Sequence, residues 1–440
     1  MFWKRWTAVV LLGAGVTARV AAQSNSSQID TGDTAWMLVS CALVMLMTPG
    51  LALFYGGMVR QKNVLSTMMH SITILAVATV HWVVIGYALA FGPSIGGFIG
   101  KPVWAFLHGV GQQPNVDYAP TIPHSVFMAF QMMFAIITPA LISGAIAERM
   151  KFSTFVAFVV LWLTLVYAPI AHWVWGVGGW LRHLGALDFA GGTVVHISSG
   201  ISGLVAAWML RPRLGYLREA MLPNNLTLTI LGAGMLWFGW FGFNAGSALA
   251  AGGLAASAFA ATHIASAAAT LSWIVVEWAH RGKPSALGAV SGCIAGLVAI
   301  TPAAGFVSLQ SALIIGLVAG AVCYSAVILK PRLRYDDSLD AFGIHGVGGT
   351  TGALLTGVFA SKVVNPAGAE GLLYGGFHLF GVQLLAIVTT WLYAAAVTAV
   401  ILKALDVFMG LRVREEEEIT GLDITLHGES GYNFMSEASV

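Results

Sequence analysis

The stretch DFAGGTVVHISSGISG, residues 188–203, has a counterpart in DSLDAFGIHGVGGTTG, residues 337–352. In each stretch an aspartate precedes a histidine by eight positions, and glycines follow the histidine at plus four and plus seven. Both histidines, His196 and His345, lie within apolar runs, where an ionisable side chain is costly and by default suggests a function. The alternative for each is a neutral core histidine that bonds a backbone carbonyl. The chain therefore contains an internal repeat, and each copy of the repeat carries one histidine.

The composition indicates the environment of these apolar runs. Of the 440 residues, 58% are hydrophobic and 9% are charged, whereas about 25% of the residues of a soluble domain are charged. A chain this apolar lacks the polar surface of a soluble globule and the charge that keeps a segment disordered. We therefore predict an all-α polytopic membrane protein.

Motifs that identify several classes of enzymes and pumps do not occur in the sequence. It has no nucleotide-binding loop, dinucleotide fingerprint or HExxH zinc motif, so ATP-driven pumping and metalloprotease chemistry lack their usual signals. The three cysteines, Cys41, Cys293 and Cys323, lie far apart in apolar runs and favour neither a disulfide framework nor a zinc site. We expect them to pack as small hydrophobic side chains.

Eleven apolar runs are long enough to cross a bilayer as helices, which takes about 20 residues each. They cover residues 34–57, 64–91, 124–147, 152–178, 191–210, 226–246, 254–279, 285–303, 306–329, 340–360 and 376–403. His196 and His345 fall on the fifth run of each five-run half, and the tetrapeptide ITPA falls on the third run of each half. Because five is odd, equivalent halves must be inverted in the membrane, with the substrate path at their interface. We predict eleven transmembrane helices, in two inverted five-helix repeats plus one extra helix.

Basic residues are distributed unevenly between the two sides of these runs. Fifteen lysines and arginines lie on the side of the C-terminal tail, whereas only Lys101, Arg182 and Lys362 lie on the opposite side. Because loops rich in lysine and arginine stay in the cytoplasm, we predict that the C-terminus is cytoplasmic.

The N-terminal residues have the composition of a signal peptide. Lys4 and Arg5 precede an apolar stretch over 6–16 that is too short to span a bilayer, and small residues at 20–22 offer a cleavage site. We predict a signal peptide over 1–22, followed by a membrane domain over 23–403. An uncleaved anchor is the alternative, because Arg19 lies close to the cut.

The tail over 404–440 differs in composition from the rest of the chain. It carries eight acidic residues against two basic ones, including four consecutive glutamates at 415–418, and is too polar to insert into a membrane. A solvated end and a docking segment both fit this composition. The motifs GLD at 421–423 and HGE at 427–429 are more patterned than a random tail.

The two repeat histidines are the sharpest chemical signal in the chain. Inverted repeats bring equivalent positions together at the pseudo-twofold axis, so we expect His196 and His345 to lie side by side. In a low dielectric two neutral imidazoles can share one proton, which suits a conduit for a neutral or proton-exchanging solute. A metal site fits poorly, because no third ligand is evident nearby. Asp188, Asp337 and Asp340 precede helical runs and are expected to cap them; indirect support of a cation is the alternative for each.

Longer motifs resemble those of one known family. They are TPG at 48–50, LFYGG at 53–57, AFQMMFAIITPALISGAIAER at 129–149, YAPIAHWVWG at 167–176, GALDFAGGTVVHI at 185–197, GWFGFNAGS at 239–247, DDSLDAFGIHGVGG at 336–349 and GLRVREEEEITGLDITLHGESGY at 410–432. Over nearly all of residues 33–433 the chain resembles the ammonium transporter, methylammonium permease and Rhesus proteins. It is most similar to the bacterial ammonium-transporter branch, because Trp175 and Ser247 are both present.

The resemblance implies a homotrimer of the bacterial inner membrane with one pore per subunit, no enzymatic activity, no cofactor and no nucleic-acid partner. Its substrate would be ammonium or ammonia, with methylammonium as an analogue. The implied roles are an outer recruitment site of Phe134, Trp175 and Ser247, a phenyl gate of Phe134 and Phe243, a pore lined by His196 and His345, and support of the outer site by Asp188. The tail resembles the segment that docks PII-type signal proteins.

Three other functions remain open at this point. One is a gas or urea channel of the Rhesus type, against which Trp175 and Ser247 argue. Another is an ammonium sensor that signals through its tail and transports little. The last is a membrane enzyme that uses the histidine pair with a metal, for which further ligands are missing. The residues also leave open whether transport is electrogenic or carries neutral ammonia.

Overall fold

The structure, a computed structural model, describes residues 29–432. The predicted signal peptide over 1–22 and the last residues of the tail, 433–440, lie outside the described residues. Nine helices within 29–432 are long and apolar enough to cross a membrane. The prediction of a helical membrane protein is therefore confirmed.

The helices follow the predicted runs. The nine long ones are α1 (Thr31–Met58), α2 (Gln61–Phe91), α3 (His124–Ile146), α4 (Phe152–His183, interrupted at 176–179), α5 (Gly192–Leu210), α6 (Leu226–Gly246), α7 (Gly253–Arg281), α9 (Leu309–Leu333) and α11 (Phe377–Met409). Two shorter helices, α8 (Ala286–Ile300) and α10 (342–359), lie where the two remaining runs are predicted. The count of eleven spans and the inversion of the halves stay predictions.

Short elements lie between the long helices and in the tail. They are the antiparallel strands β1 (Ser94–Ile95) and β2 (Ile99–Gly100), the 3₁₀ turns Pro102–Leu107 and Leu372–Tyr374, the tail helix α12 (Glu415–Thr420) and the π-helical turn Asp423–His427. In the hairpin, Ser94 pairs with Gly100 and Ile95 pairs with Ile99.

The two histidine-bearing helices, α5 and α10, approach closely. A Cβ atom added at Gly200 would lie 2.1 Å from the backbone nitrogen of Gly346, and one added at Gly349 would lie 2.9 Å from the Cβ of His196. The glycine four positions after each histidine therefore packs against the histidine turn of the other half. Small residues at these positions allow a backbone separation that any larger side chain would prevent.

The tail packs onto the helical domain. The backbone amide of Lys151 donates to the carbonyl of Leu411 at 3.0 Å, and the backbone amide of Val413 donates to the carbonyl of Arg149 at 3.0 Å. Leu411, Val413 and Leu422 are buried. Of the two interpretations that the composition left open, a solvated end is wrong for residues 410–432, because backbone bonds and apolar burial hold this segment in place.

Candidate functional site

An outer cavity of about 240 Å³ opens at the end of α3 that begins with His124. Aromatic rings form much of its wall, and the polar side chains that line it include Gln131, Asp188 and Ser247. Trp175 and Ser247 are half-buried, so both are accessible from the cavity. The Ser247 hydroxyl donates to the carbonyl of Phe243 at 2.8 Å, which leaves its oxygen free to accept a hydrogen bond.

Two stacked phenyl rings close the inner end of this cavity. The ring centroids of Phe134 and Phe243 lie 4.3 Å apart with an interplanar angle of 30°, and both side chains are buried. The Trp175 indole meets Phe134 edge to face, at 5.8 Å and 89°. The structure thus brings together Phe134, Phe243 and Trp175, which come from α3, α6 and α4.

Asp188 caps the helix that carries His196. Its carboxylate accepts hydrogen bonds from four successive backbone amides, at 2.7 Å from Gly191, 2.6 Å from Gly192, 2.8 Å from Thr193 and 3.2 Å from Val194, and from the Thr193 hydroxyl. The backbone carbonyl of Asp188 accepts the Trp175 indole N–H at 2.9 Å. Both carboxylate oxygens are therefore engaged in hydrogen bonds at the helix terminus. Asp188 orients Trp175 through its backbone carbonyl.

His196 and His345 lie in contact beyond the phenyl pair. Their Nδ1 atoms are 3.3 Å apart, and their rings stack at 5.3 Å with an angle of 18°. Each histidine sits in a wide π-helical turn, Gly192–Ile197 or Phe342–Gly346, and such turns are rare and frequent at functional sites. The contact between two Nδ1 atoms requires one imidazole to donate and the other to accept.

Two narrow cavities, each of about 10 Å³, continue the line of the outer cavity past the phenyl rings. The first is lined by both histidines, Trp240 and Phe243, and otherwise by aliphatic and aromatic side chains. The second also touches His345 and extends to Tyr55 and Asp340. Each volume is close to that of a single water-sized probe sphere. Each cavity could hold at most one small molecule. The row formed by the phenyl pair, the histidine pair and these two cavities is called the file below.

The two aspartates before α10 differ from each other. Asp337 accepts hydrogen bonds from the backbone amides of Ala341 at 3.1 Å and Phe342 at 2.7 Å, as an N-cap does. Asp340 does not act as the expected cap: its carboxylate pairs with the ammonium of Lys330 at 2.5 Å, at the inner end of the file. Because Asp337 already accepts the amides at the helix terminus, the carboxylate of Asp340 forms an ion pair with Lys330 instead.

Two residues of this path were not singled out from the sequence. Trp240 stacks on His196 at 5.4 Å and donates its indole N–H to the Thr301 hydroxyl at 2.9 Å. Gln131 lines the outer cavity one helical turn before Phe134. The only available signal for Gln131 was an amide side chain inside an otherwise apolar run. Across residues 29–432, no group of three His, Cys, Asp or Glu side chains could hold a metal ion.

Comparisons with known proteins identify the family. The family model described as Ammonium Transporter Family matches residues 35–432. The ammonium transporter of Bacillus subtilis (strain 168) is 57% identical over 402 residues, which cover 91% of this chain and 98% of that relative. The crystal structure of Saccharomyces cerevisiae Mep2 superposes with a TM-score of 0.83 at 39% identity, over 88% of this chain and 89% of that one.

A solved structure of a sensor Amt protein is also similar, with a TM-score of 0.82 and 30% identity over 89% of this chain and 97% of that one. These matches extend over nearly the whole described chain and agree with the motifs from which the resemblance was drawn. The resemblance is thereby confirmed, and the chain belongs to the ammonium transporter family.

Proposed function

We propose that this member of the family conducts ammonium nitrogen across the membrane in three stages. The cation is recruited in the outer cavity, loses its proton near the phenyl pair, and crosses as ammonia along the histidines while the proton moves separately. One observation carries the proposal: the phenyl pair, the histidine pair and two narrow cavities lie in one file between the outer cavity and Asp340.

Recruitment of the cation uses neutral groups. The π faces of Trp175 and Phe134 attract a partly desolvated cation, by up to about 2 kcal/mol for a favourable aromatic site. The Ser247 oxygen has a free lone pair to accept an N–H bond. The Asp188 carboxylate is occupied by five donors, so it supports the site by holding the helix terminus and the Trp175 indole in place.

The narrow file favours ammonia over bare cations. A potassium ion would share the attraction of the aromatic rings, but it has no proton to lose at the phenyl pair. Past the rings the walls are apolar except for the imidazoles, so a full charge would find little solvation there. His196 and His345 share one hydrogen bond between their Nδ1 atoms, which provides a route for a proton between two imidazoles.

The architecture that we propose follows from the repeat and from the family. Eleven spans in two inverted repeats, with the C-terminus in the cytoplasm of a bacterial inner membrane, agree with the close packing of α1 on α6 and of α5 on α10. We also propose a cleaved signal peptide, a homotrimer, and docking of a PII-type signal protein on the cytoplasmic face. A sensor role is the second candidate, favoured by the similarity to a sensor Amt protein.

The histidine pair provides the decisive test. In proteoliposomes on a solid-supported membrane, an ammonium jump should evoke a current, whereas a luminal pH change without current would indicate neutral ammonia. We expect His196→Ala to lower the current roughly 10²-fold or more, the scale of a lost proton-transfer group, in protein that still folds and assembles. His196→Asp should place a fixed negative charge in the file, so that potassium begins to compete.

A matched control is His81→Ala, because His81 is another buried histidine of a membrane helix that lies off the file. This variant should keep both the current and the selectivity. Normal ammonium current without potassium leak in both His196 and His345 variants would refute the relay. If the wild-type protein transports ammonium too slowly to account for nitrogen uptake, the result would favour the sensor role.

A further inference from the structure

One polar side chain of the outer cavity has no role in the functions considered so far. Gln131 lies on α3 one turn before Phe134, so both side chains lie on one face of the helix, and both line the outer cavity. Gln131 is 9% exposed, and its Oε1 has no hydrogen-bond partner among residues 29–432.

An unpaired amide oxygen at this depth is uncommon in a folded protein. Buried polar atoms are nearly always hydrogen-bonded, because removing them from water without a partner is costly. A structural role for Gln131 would require such a partner in the protein. Gln131 lines the cavity, and rotation of its terminal amide about the last side-chain torsion would present Oε1 to a donor that arrives with the substrate.

The other polar groups of the cavity leave room for one more acceptor. Asp188 is saturated by the helix terminus, and Arg182 is a donor whose guanidinium bonds the backbone carbonyl of Trp175. Ser247 can accept one hydrogen bond through its hydroxyl oxygen. Ammonium has four N–H donors, and the faces of Trp175 and Phe134 attract the charge without accepting a conventional hydrogen bond.

We propose that Gln131 is a direct ligand of the substrate cation in the outer cavity. Its Oε1 accepts one N–H of ammonium while the Ser247 hydroxyl accepts another. This inference rests on the proposed recruitment site and adds a basis for discrimination. A second acceptor fixes the orientation of the bound ion. Methylammonium can reach both acceptors with its three N–H donors only if its methyl group is placed against a wall of the cavity, whereas ammonium meets no such restriction.

The test compares Gln131→Leu, which removes the acceptor at similar volume, with Gln131→Glu, which retains acceptor oxygens. Uptake of labelled methylammonium into proteoliposomes is measured while unlabelled ammonium competes. We expect Gln131→Leu to raise the ammonium concentration for half-inhibition on the order of tenfold, the effect of losing one hydrogen bond to a charged group. The half-saturating methylammonium concentration should rise less, and Gln131→Glu should bind ammonium at least as tightly as the wild type.

A stability measurement separates this role from a structural one. Without ammonium, Gln131→Leu should unfold at the same temperature as the wild type or higher, because an unpaired buried acceptor has been removed. The control is Thr48→Val, which removes another buried and unpartnered side-chain oxygen of the described chain, one that does not line the cavity. Thr48→Val should leave unchanged the ammonium concentration that half-inhibits methylammonium uptake.

Trp175→Leu, tested in parallel, distinguishes the two levels of the proposal. If Trp175→Leu weakens the competition by ammonium and Gln131→Leu does not, the assignment of Gln131 is wrong and the recruitment site stands. If neither variant changes the competition, both the recruitment site and this inference are overturned. A lower unfolding temperature for Gln131→Leu, with unchanged competition, would identify Gln131 as a structural residue.

Discussion

Single side chains determine how the outer cavity attracts a cation. The one carboxylate in its wall, Asp188, is fully hydrogen-bonded to the N-terminus of α5, so it offers no free lone pair to a ligand. The attraction must therefore come from neutral groups, the indole of Trp175 above all. Arg182 also lines the cavity, and its positive charge repels ammonium.

We expect Trp175→Leu to weaken the apparent affinity for ammonium by roughly 0.5–2 kcal/mol, because leucine fills the space but has no π face. The measurement is the concentration dependence of ammonium transport in proteoliposomes. Trp208→Leu is the matched control, since Trp208 is a tryptophan on the exposed surface of α5. An unchanged concentration dependence in the Trp175 variant would exclude it from the recruitment site.

At the scale of elements, the tail completes a helix of the membrane domain. The carboxylate of Asp423 accepts hydrogen bonds from the backbone amides of Leu65 at 3.0 Å and Ser66 at 2.8 Å, close to the start of α2. The Lys62 ammonium in turn donates to the backbone carbonyls of Glu418 and Ile419 at 2.8 and 2.5 Å. A partner that moves the tail would therefore uncap α2, which gives a physical route from the tail to the helices around the file.

Asp423→Ala should destabilise this junction by about 0.5–2 kcal/mol, the usual effect of losing a helix cap. Faster amide hydrogen exchange near the start of α2 would report the loss, and Glu429→Ala, at an exposed acid of the same tail, should leave it unchanged. Unaltered exchange in the Asp423 variant would mean that the cap contributes nothing to this terminus.

Deleting residues 412–440 tests the regulatory role of the whole tail. The deletion removes Glu418, whose carboxylate accepts the backbone amide of Leu214 at 2.7 Å, together with the cap on α2. We expect the proposed trimer still to assemble and its transport activity, or its response to nitrogen status, to change. Identical behaviour of truncated and full-length proteins in cells would show that the docked tail has no regulatory function.

At the scale of the whole molecule, a buried ion network joins loops that are distant in sequence. The Arg213 guanidinium bonds Asp336 at 2.8 Å and Glu148 at 3.2 Å, and Arg60 bonds Glu148 at 2.7 Å. Burial raises the pKa of both carboxyl groups, but the charges and hydrogen bonds of the arginines more than offset this and hold each pKa below its usual value. The network thus links the loops that follow α1, α3 and α5 with the one that precedes α10.

The sign of the pH dependence follows from these lowered pKa values. A carboxyl group whose pKa is lower in the folded protein adds stability above its unfolded pKa of about 4, and this stability is lost as the pH falls through the folded pKa. We expect the unfolding temperature of the purified protein to fall on acidification below about pH 4.

Arg213→Leu should cost about 3–5 kcal/mol at neutral pH, because it leaves the buried carboxylate of Asp336 without its paired cation and leaves Glu148 with Arg60 alone. The variant should also lose less stability on acidification than the wild type. Arg414→Leu is the control, since the exposed pair of Arg414 with Glu417 contributes little. Equal unfolding temperatures for the Arg213 variant and the wild type would contradict a stabilising network.

The sequence by itself determined the membrane class, the helical runs, the repeat and the family. Each of these follows from properties that are local or periodic along the chain: apolar content, run length, the D-x7-H spacing and contiguous motifs. The matched positions of His196 and His345 also predicted that they would lie side by side, and their rings are in contact.

The tertiary structure alone decided which atoms meet. Stacking of Phe134 on Phe243 and the contact between two Nδ1 atoms each join helices that are distant in sequence. The pairing of Asp340 with Lys330 joins the end of α9 to the segment that precedes α10. The unpaired oxygen of Gln131 and the docking of Asp423 on α2 depend in the same way on what surrounds them. Residue spacing specifies a helix face, whereas partners and their distances depend on how several helices pack at once.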